Sequence, residues 1–239
     1  MTFAELLQNN YIFLDGGMGT MLQARGMQAG ERPELLNLKD PALVEQVQRA
    51  YVEAGSNIIC SNTFGANRAK LTGSGATVQQ VIPAAIQCAR RAAAGKALVA
   101  LDLGPTGQML EPTGSLTFEQ AYDLYAEQVD AGQEADLILI ETMTDLYEIR
   151  AAVLAAKEHG NGKPVIALMT FEHTGRTFTG CSVSAMALTL EGLGVDAMGI
   201  NCSIGPDELY PVVEELCRWT TLPLLIKPNA GLPDPVTNQ

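Results

Sequence analysis

No apolar run in the sequence approaches the ~20 residues that a membrane-spanning helix needs. The opening stretch, MTFAELLQNN, has no basic segment leading into an apolar one, so neither a membrane anchor nor a secretory signal peptide is expected. Basic residues are scarce: 15 Lys and Arg stand against 27 Asp and Glu, a formal net charge of −12. A surface of that sign repels phosphate backbones, which argues against nucleic acid as a partner. Charged residues make up only 18% of the chain and hydrophobic ones 47%. That balance excludes a disordered polypeptide, because enough apolar surface is available to offset the entropy of ordering. The five cysteines are odd in number, have no short regular spacing and include no adjacent pair. They do not read as a disulfide framework. Without an export signal, the expected compartment is the reducing cytoplasm, where thiols stay free for metal binding or catalysis.

What is present is alternation. Short apolar, β-branched runs occur at Tyr11–Leu14, Asn57–Cys60, Ala97–Leu101, Asp136–Ile140, Val165–Met169, Ala197–Asn201 and Leu222–Ile226. Runs of near-continuous apolarity suit strands buried on both faces, as in parallel sheets. Between them the pattern predicts helices at about 41–54, 77–95, 117–132, 144–159, 184–193 and 206–219. Start signals precede several: Asp40-Pro41, Ser115 to Thr117, and Gly205-Pro206-Asp207. Gly55, Gly95, Gly132 and Gly160 stand where helix C-caps are expected. Seven strands and six helices in strict alternation mean βα units and a parallel sheet. A doubly wound sheet is one solution. A (β/α)8 TIM-type barrel fits better, because Asp15, Asn62, Asp102, Glu141, Asn201 and Cys202 all follow strand ends, the face where barrel enzymes keep their sites. A barrel needs eight strands, and here the last is missing: the chain reaches a Pro- and Gly-rich tail, Pro228 to Gln239, after the seventh. The expectation is one domain over 1–239 that lacks its C-terminal portion.

Four motifs carry candidate chemistry. Asp15-Gly16-Gly17-Met18-Gly19-Thr20 follows the first strand. Its glycines let backbone N–H groups approach an anion, and Asp15 offers a carboxylate to an ammonium; the alternative is a flexible turn. No GK[ST] follows, so it is not a phosphate loop. Glu141 ends the fourth strand, where a buried carboxylate is costly unless paired; it is read as an amine ligand or general base, or else as a cap on the next helix. Cys202, in Asn201-Cys202-Ser203, sits between a strand end and a helix start, a setting that favours thiolate. Cys60 and Cys181 could join it in a three-sulfur site, although no paired spacing supports this. Cys88 and Cys217 fall in helices and read as structural. His173 stands near the same face, and His159 near a helix end, where its charge when protonated suits the macrodipole. Lys227 follows the seventh strand and reads either as a salt-bridged lysine or as a Schiff-base amine.

Taken together, the motifs DGGMGTML at 15–22, SNTFGAN at 61–67, GPTGQMLEPTG at 104–114, IETMTDLYE at 140–148, GINCSIGP at 199–206 and PNAGLP at 228–233 resemble the homocysteine S-methyltransferase family. GPTG and PELLNL at 33–38 are most similar to its cobalamin-dependent methionine synthase branch, whose N-terminal barrel binds homocysteine. The resemblance implies a (β/α)8 barrel and methyl transfer to the thiol of L-homocysteine, giving methionine. It implies a zinc ion held by three cysteines, with Cys202 matching the first and acting in catalysis. It further implies that Asp15 and Glu141 contact the substrate's amino group, that backbone around Gly16 and Gly17 receives its carboxylate, and that Asn201 shapes the pocket. The methyl donor, methylcobalamin, would be presented by another domain; cobalamin and methyltetrahydrofolate are implied only through such modules.

One departure stands out. The family's second and third zinc ligands form a Cys-Cys pair, and none occurs in this sequence. The expectation is therefore a truncated part of a longer enzyme, inactive by itself. Two other readings stay open: a non-catalytic amino-acid-binding barrel module, and a Schiff-base lyase or aldolase using Lys227.

Overall fold

The computed structural model describes residues 1–229 except Asn10, Ala29 and Ser203. The chain begins with the short helix α1 (Phe3–Leu6), then α2 (Met18–Gln23), a 3-10 turn (Pro33–Leu35), α3 (Leu36–Lys39) and α4 (Pro41–Glu53). β1 (Ile58–Cys60) follows, then α5 (Arg68–Leu71), α6 (Val78–Ala93), β2 (Leu98–Leu103), α7 (Phe118–Ala131) and β3 (Leu137–Met143). The remainder is α8 (Leu146–His159), β4 (Val165–Met169), α9 (Val183–Gly192), β5 (Ala197–Asn201), α10 (Pro206–Leu216) and β6 (Leu224–Lys227).

The six strands pair in chain order, all parallel. Alternate strand residues face opposite ways. One set packs under the helices: Val99 and Leu101, Ile138 and Ile140, Met198 and Ile200 lie in the outer core. The other set, including Ile58, Leu98, Ala100, Leu137, Leu139, Ile166, Leu168 and Ala197, forms a second cluster capped by Phe3 and Leu6 of α1. Side chains from β1 and β5 meet there, so the sheet is curled as a half-barrel around an apolar interior, consistent with an incomplete TIM-type barrel.

Local chemistry starts the helices where the sequence indicates. Asp40 accepts from Leu43 N at the head of α4, with Pro41 in the first turn. Thr117 and Gln120 form a capping box on α7, and Glu208 accepts from Gly205 N at the start of α10. The expected C-cap glycines divide into two kinds. Gly55 and Gly95 take positive φ of 105° and 77°. Gly132 and Gly160 do not; they are glycines for want of space, since an added Cβ would collide with Leu101 at the first and with the Ala156 carbonyl at the second.

The first expected strand is a correction. Tyr11–Leu14 joins the sheet only through a Leu14–Ile58 bridge. The Phe13 carbonyl accepts from both Asn57 N (2.7 Å) and Ile58 N (3.3 Å), and the Asn57 side chain accepts from Phe13 N (2.9 Å). These contacts take the place of a regular ladder, and Tyr11 and Phe13 are exposed. The short helices α1, α2, α3 and α5 are additions to the six expected.

Gly199 of β5 gives one packing prediction. An added Cβ would strike the backbone of Leu225 on the adjacent β6. Gly199→Ala is expected to cost about 3 kcal/mol, the upper part of the usual overpacking range. A urea-unfolding midpoint indistinguishable from that of the native chain would contradict it.

Candidate active site

The inward-facing set changes character at the C-terminal ends of the strands. Continuing the alternation past Ala100, Leu139 and Leu225 places Asp102, Glu141 and Lys227 on the interior face. They line a cavity of about 400 Å³ together with Asp15, Gly16, Gly17, Cys60, Asn201 and Cys202. The structure thus brings together every residue expected to bind substrate or metal: Asp15, Gly16, Gly17, Glu141, Asn201 and Cys202.

Asp15 is anchored by one oxygen. Its Oδ2 accepts from Cys60 N at 2.7 Å; its Oδ1 has no hydrogen-bond partner among the described residues, and Lys227 Nζ stands 4.0 Å away. Lys227 donates to Glu141 Oε2 at 3.1 Å. Asp102 is buried, with its backbone clasped by Thr63: the Thr63 hydroxyl donates to Asp102 O (2.8 Å) and lies 3.2 Å from Asp102 N. Asp102 Oδ1 also has no partner among the described residues.

Electrostatics follow from this crowding. Burial holds the Asp15 carboxyl above its ordinary range, with Lys227 pulling the other way. Burial, and then the neighbouring Glu141 charge, push Asp102 well above it. Burial and the nearby Asp15 charge keep Cys60 a thiol, well above its ordinary value. For Lys227, burial opposes the charge, but the surrounding acids, Glu141 and Asp15 foremost, outweigh it and hold the ammonium above its ordinary value. An amine held charged is a poor nucleophile, since Schiff-base formation needs the neutral form; this works against the lyase reading.

Asp102 yields a stability prediction. Its folded-state pKa lies above its ordinary 3.8, so the folded state binds its proton more tightly than the unfolded one. The stability this provides is complete below about pH 3.8 and is lost as pH rises through the folded value. Asp102→Asn removes the charge that must otherwise be buried. The variant is expected to exceed the native chain in stability by about 1–3 kcal/mol at pH 8, with the gap closing towards pH 4. Urea titrations across that range test this; a variant less stable at pH 8 would overturn it.

Cys202 and Thr142 share an unusual backbone. Their φ values are +60° and +63°, in the left-handed region that branched side chains rarely adopt. Asn201 holds both in place. Its Oδ1 accepts from Thr142 N (2.9 Å), and its Nδ2 donates to Thr142 Oγ1 (2.8 Å) and towards Cys202 Sγ (3.2 Å). The register between β3 and β4 shifts at the same place, between Ile140 and Met143. Strain held by a surrounding network is a feature of functional sites. Its effect is to hold Thr142, at the end of β3, and Cys202, just past β5, on the wall of the cavity across the intervening β4.

Two buried acids support the surrounding loops. Glu34 of the PELLNL segment accepts from Gly65 N at 2.7 Å. Glu148 of α8 accepts from Thr106 N (2.6 Å), Thr106 Oγ1 (2.7 Å) and Tyr125 Oη (3.1 Å), fixing the loop after β2.

Other sequence candidates fall elsewhere. Cys60 and Cys202 line the cavity, but Cys181 is half-buried in the loop before α9 and bonds Ser182 O, so the three sulfurs do not converge. His173 is exposed, 3.6 Å from Glu208. His159 pairs with Asp130 at 3.0 Å, far from the chemistry along α8. Cys88 is buried in α6, whereas Cys217 is exposed just past α10. Glu141 caps nothing, because Asp145 caps α8. The motif at 228–233 lies largely outside the described residues. Sequence reasoning placed Asp102 on the strand-end face and weighed Lys227 as a Schiff-base amine, but gave neither a part in substrate binding, and it did not single out Thr142. The available signal was the period-2 alternation, which makes the last inward residue of each strand a cavity residue.

Among the described residues, no group of three or more His, Cys, Asp or Glu side chains could hold a metal ion. Cys202 is a single candidate sulfur.

Comparison with known proteins agrees with this geometry. The chain is 34% identical to a methionine synthase of Mycobacterium tuberculosis and 32% identical to that of Mycobacterium leprae, each over 96% of its own length. It spans 21% of the length of these relatives. Its fold is similar to the metallated form of the homocysteine methyltransferase MmuM from Escherichia coli, with a TM-score of 0.85 at 24% identity over 96% of this chain and 87% of the other. Residues 12–239 match the model of homocysteine S-methyltransferases. With the family model matching nearly the whole chain and relatives above 30% identity, the chain belongs to the homocysteine S-methyltransferase family.

Proposed function

We propose that this chain binds L-homocysteine and presents its sulfur for methylation, forming methionine as part of a longer, methionine synthase-like enzyme. The observation that carries this is the meeting of Asp15, Glu141, the Gly16-Gly17 turn and Cys202 in one cavity. An α-amino acid needs an anionic partner for its ammonium and N–H donors for its carboxylate, and these residues offer both. In this reading Asp15 and Glu141 hold the ammonium, the backbone at Gly16 and Gly17 takes the carboxylate, and Asn201 keeps Thr142 and Cys202 in place beside the side chain. With both ends of the amino acid fixed, the sulfur points up the open barrel face towards a methyl donor, and orientation of this kind supplies much of a transfer reaction's rate. The sulfur loses its proton, an S–C bond forms, and the bond from the methyl carbon to the donor breaks.

The same reading makes Cys202 a ligand to a zinc ion that activates the substrate thiol. A catalytic zinc takes three protein ligands and one open position. The described residues supply one of them and so do not make the site; their contribution is to bind and orient the substrate. Methylcobalamin, presented by another domain, is the proposed donor, with methyltetrahydrofolate acting through further modules, in the cytoplasm.

The test compares this chain with a version extended by about 80 residues, ample for a further strand and helix of a barrel. Zinc content and homocysteine affinity are measured on both, with and without Cys202→Ala. The expected result is one zinc and tight homocysteine binding in the extended chain, both lost in the variant. Homocysteine binding that is independent of zinc and unchanged by Cys202→Ala would instead favour a non-catalytic amino-acid-binding module.

A further inference from the structure

The carboxylates facing the cavity outnumber its cations. Asp15, Asp102 and Glu141 face it with Lys227 as the one ammonium among those four groups, and Lys227 directs its hydrogen bond to Glu141. Two carboxylate oxygens are left over. Asp15 Oδ1 and Asp102 Oδ1 are each without a hydrogen-bond partner among the described residues. Both side chains belong to residues more than nine-tenths buried, at 5% and 6% exposure. Buried polar atoms are seldom left unpaired, and these two belong to side chains that line one cavity, so a ligand entering it is the available source of a donor from outside the chain.

The donor's chemistry is set by what surrounds it. It must be cationic, because it enters among three acids. It must carry several N–H groups, because the two free acceptors belong to different side chains. A primary ammonium meets both conditions. Lys227 does not fill this role: it is committed to Glu141 and stands 4.0 Å from Asp15 Oδ1, beyond hydrogen-bond length. The backbone of Asp102 is clasped by Thr63 and its strand is buried throughout, which fixes the point from which its carboxylate projects.

We infer that Asp102 is a third carboxylate of the ammonium subsite, joining Asp15 and Glu141 at the substrate's amino group while Lys227 keeps its hydrogen bond to one oxygen, Oε2, of Glu141. This rests on the amino-acid reading of the cavity and deepens it. The role for Asp102 is specificity: it selects ligands that bear an amine. In the ligand-free chain, burial and Glu141 favour the protonated acid. An arriving ammonium favours the ionised form, and the proton leaves to solvent.

The experiment uses two ligands that differ only in the amine, L-homocysteine and 4-sulfanylbutanoate, titrated calorimetrically into the native chain and its variants. The native chain is expected to prefer homocysteine. Asp102→Asn, and Asp102→Ser as a second variant should the first fail to fold, are expected to shrink that preference by about 10- to 100-fold, the worth of one charge-assisted hydrogen bond. Affinity for 4-sulfanylbutanoate should hold. An unchanged preference, or equal weakening of both ligands, overturns the role of Asp102. Glu141→Gln separates the two readings. If it abolishes the preference while Asp102→Asn does not, the amino-acid site stands and Asp102 is only structural. If the native chain shows no preference, the amino-acid reading falls and takes this inference with it.

Discussion

Lys227→Met is expected to destabilise the chain by about 2–3 kcal/mol, less than the ~3–5 kcal/mol of a fully buried ion pair because the lysine is only half-buried. The lysine is the ammonium among three acids, 3.1 Å from Glu141 and 4.0 Å from Asp15. Methionine preserves most of the side-chain volume, so the loss comes from charge. The pH dependence identifies the cause. Without the lysine the Asp15 and Asp102 carboxyls, already held above their ordinary range by burial, rise further, and a group raised in the folded state loses its stabilising contribution as pH increases. The deficit should therefore be large at pH 8 and small near pH 4. Urea unfolding at both values measures it, and a deficit independent of pH would show that packing, not charge, is the contribution of Lys227.

Glu141→Gln carries the second large effect, on ligand binding. The substitution keeps the shape of the side chain and removes the charge offered to a substrate ammonium. Truncating one side of a buried, hydrogen-bonded charge pair costs about 2–5 kcal/mol, which is roughly 30- to several-thousand-fold in homocysteine affinity. If the proposed function holds, the same change in an active enzyme should raise KM much more than it lowers kcat, because in that reading the amine lies away from the reacting sulfur and its interaction is uniform along the reaction. A variant that lost kcat alone would move Glu141 from binding to chemistry.

Much of this site is legible along the chain. Each of the six long helices falls within about three residues of its expected bounds, because Asp40 and Thr117 signal starts through side chains that cap locally and Pro206 opens α10. Asp15, Glu141 and Cys202 are recognisable from their position after apolar runs and from the family motifs around them. The interior face of the site is harder to read. Lys227 stands before a proline like any surface lysine, and only the curl of the sheet brings it to Glu141, 86 residues earlier. Asp102 looks like one more strand-end acid until the absence of a partner for its Oδ1 is known. Asn201 has an anticipated place, but its grip on Thr142 and Cys202 depends on a bulge between β3 and β4 that no local pattern announces.

The sequence by itself determined the alternation of strands and helices, and with it the parallel order and the end of the sheet where polar residues collect. Those features rest on periodicity and capping, which act over a few residues. Tertiary structure decided how the charges are shared: which carboxylate has the lysine, which oxygens are left without partners, and why Tyr11–Leu14 meets the sheet at a single bridge. These depend on distances between residues far apart in the chain, and electrostatic and hydrogen-bond energies change steeply over an ångström or two in a buried setting.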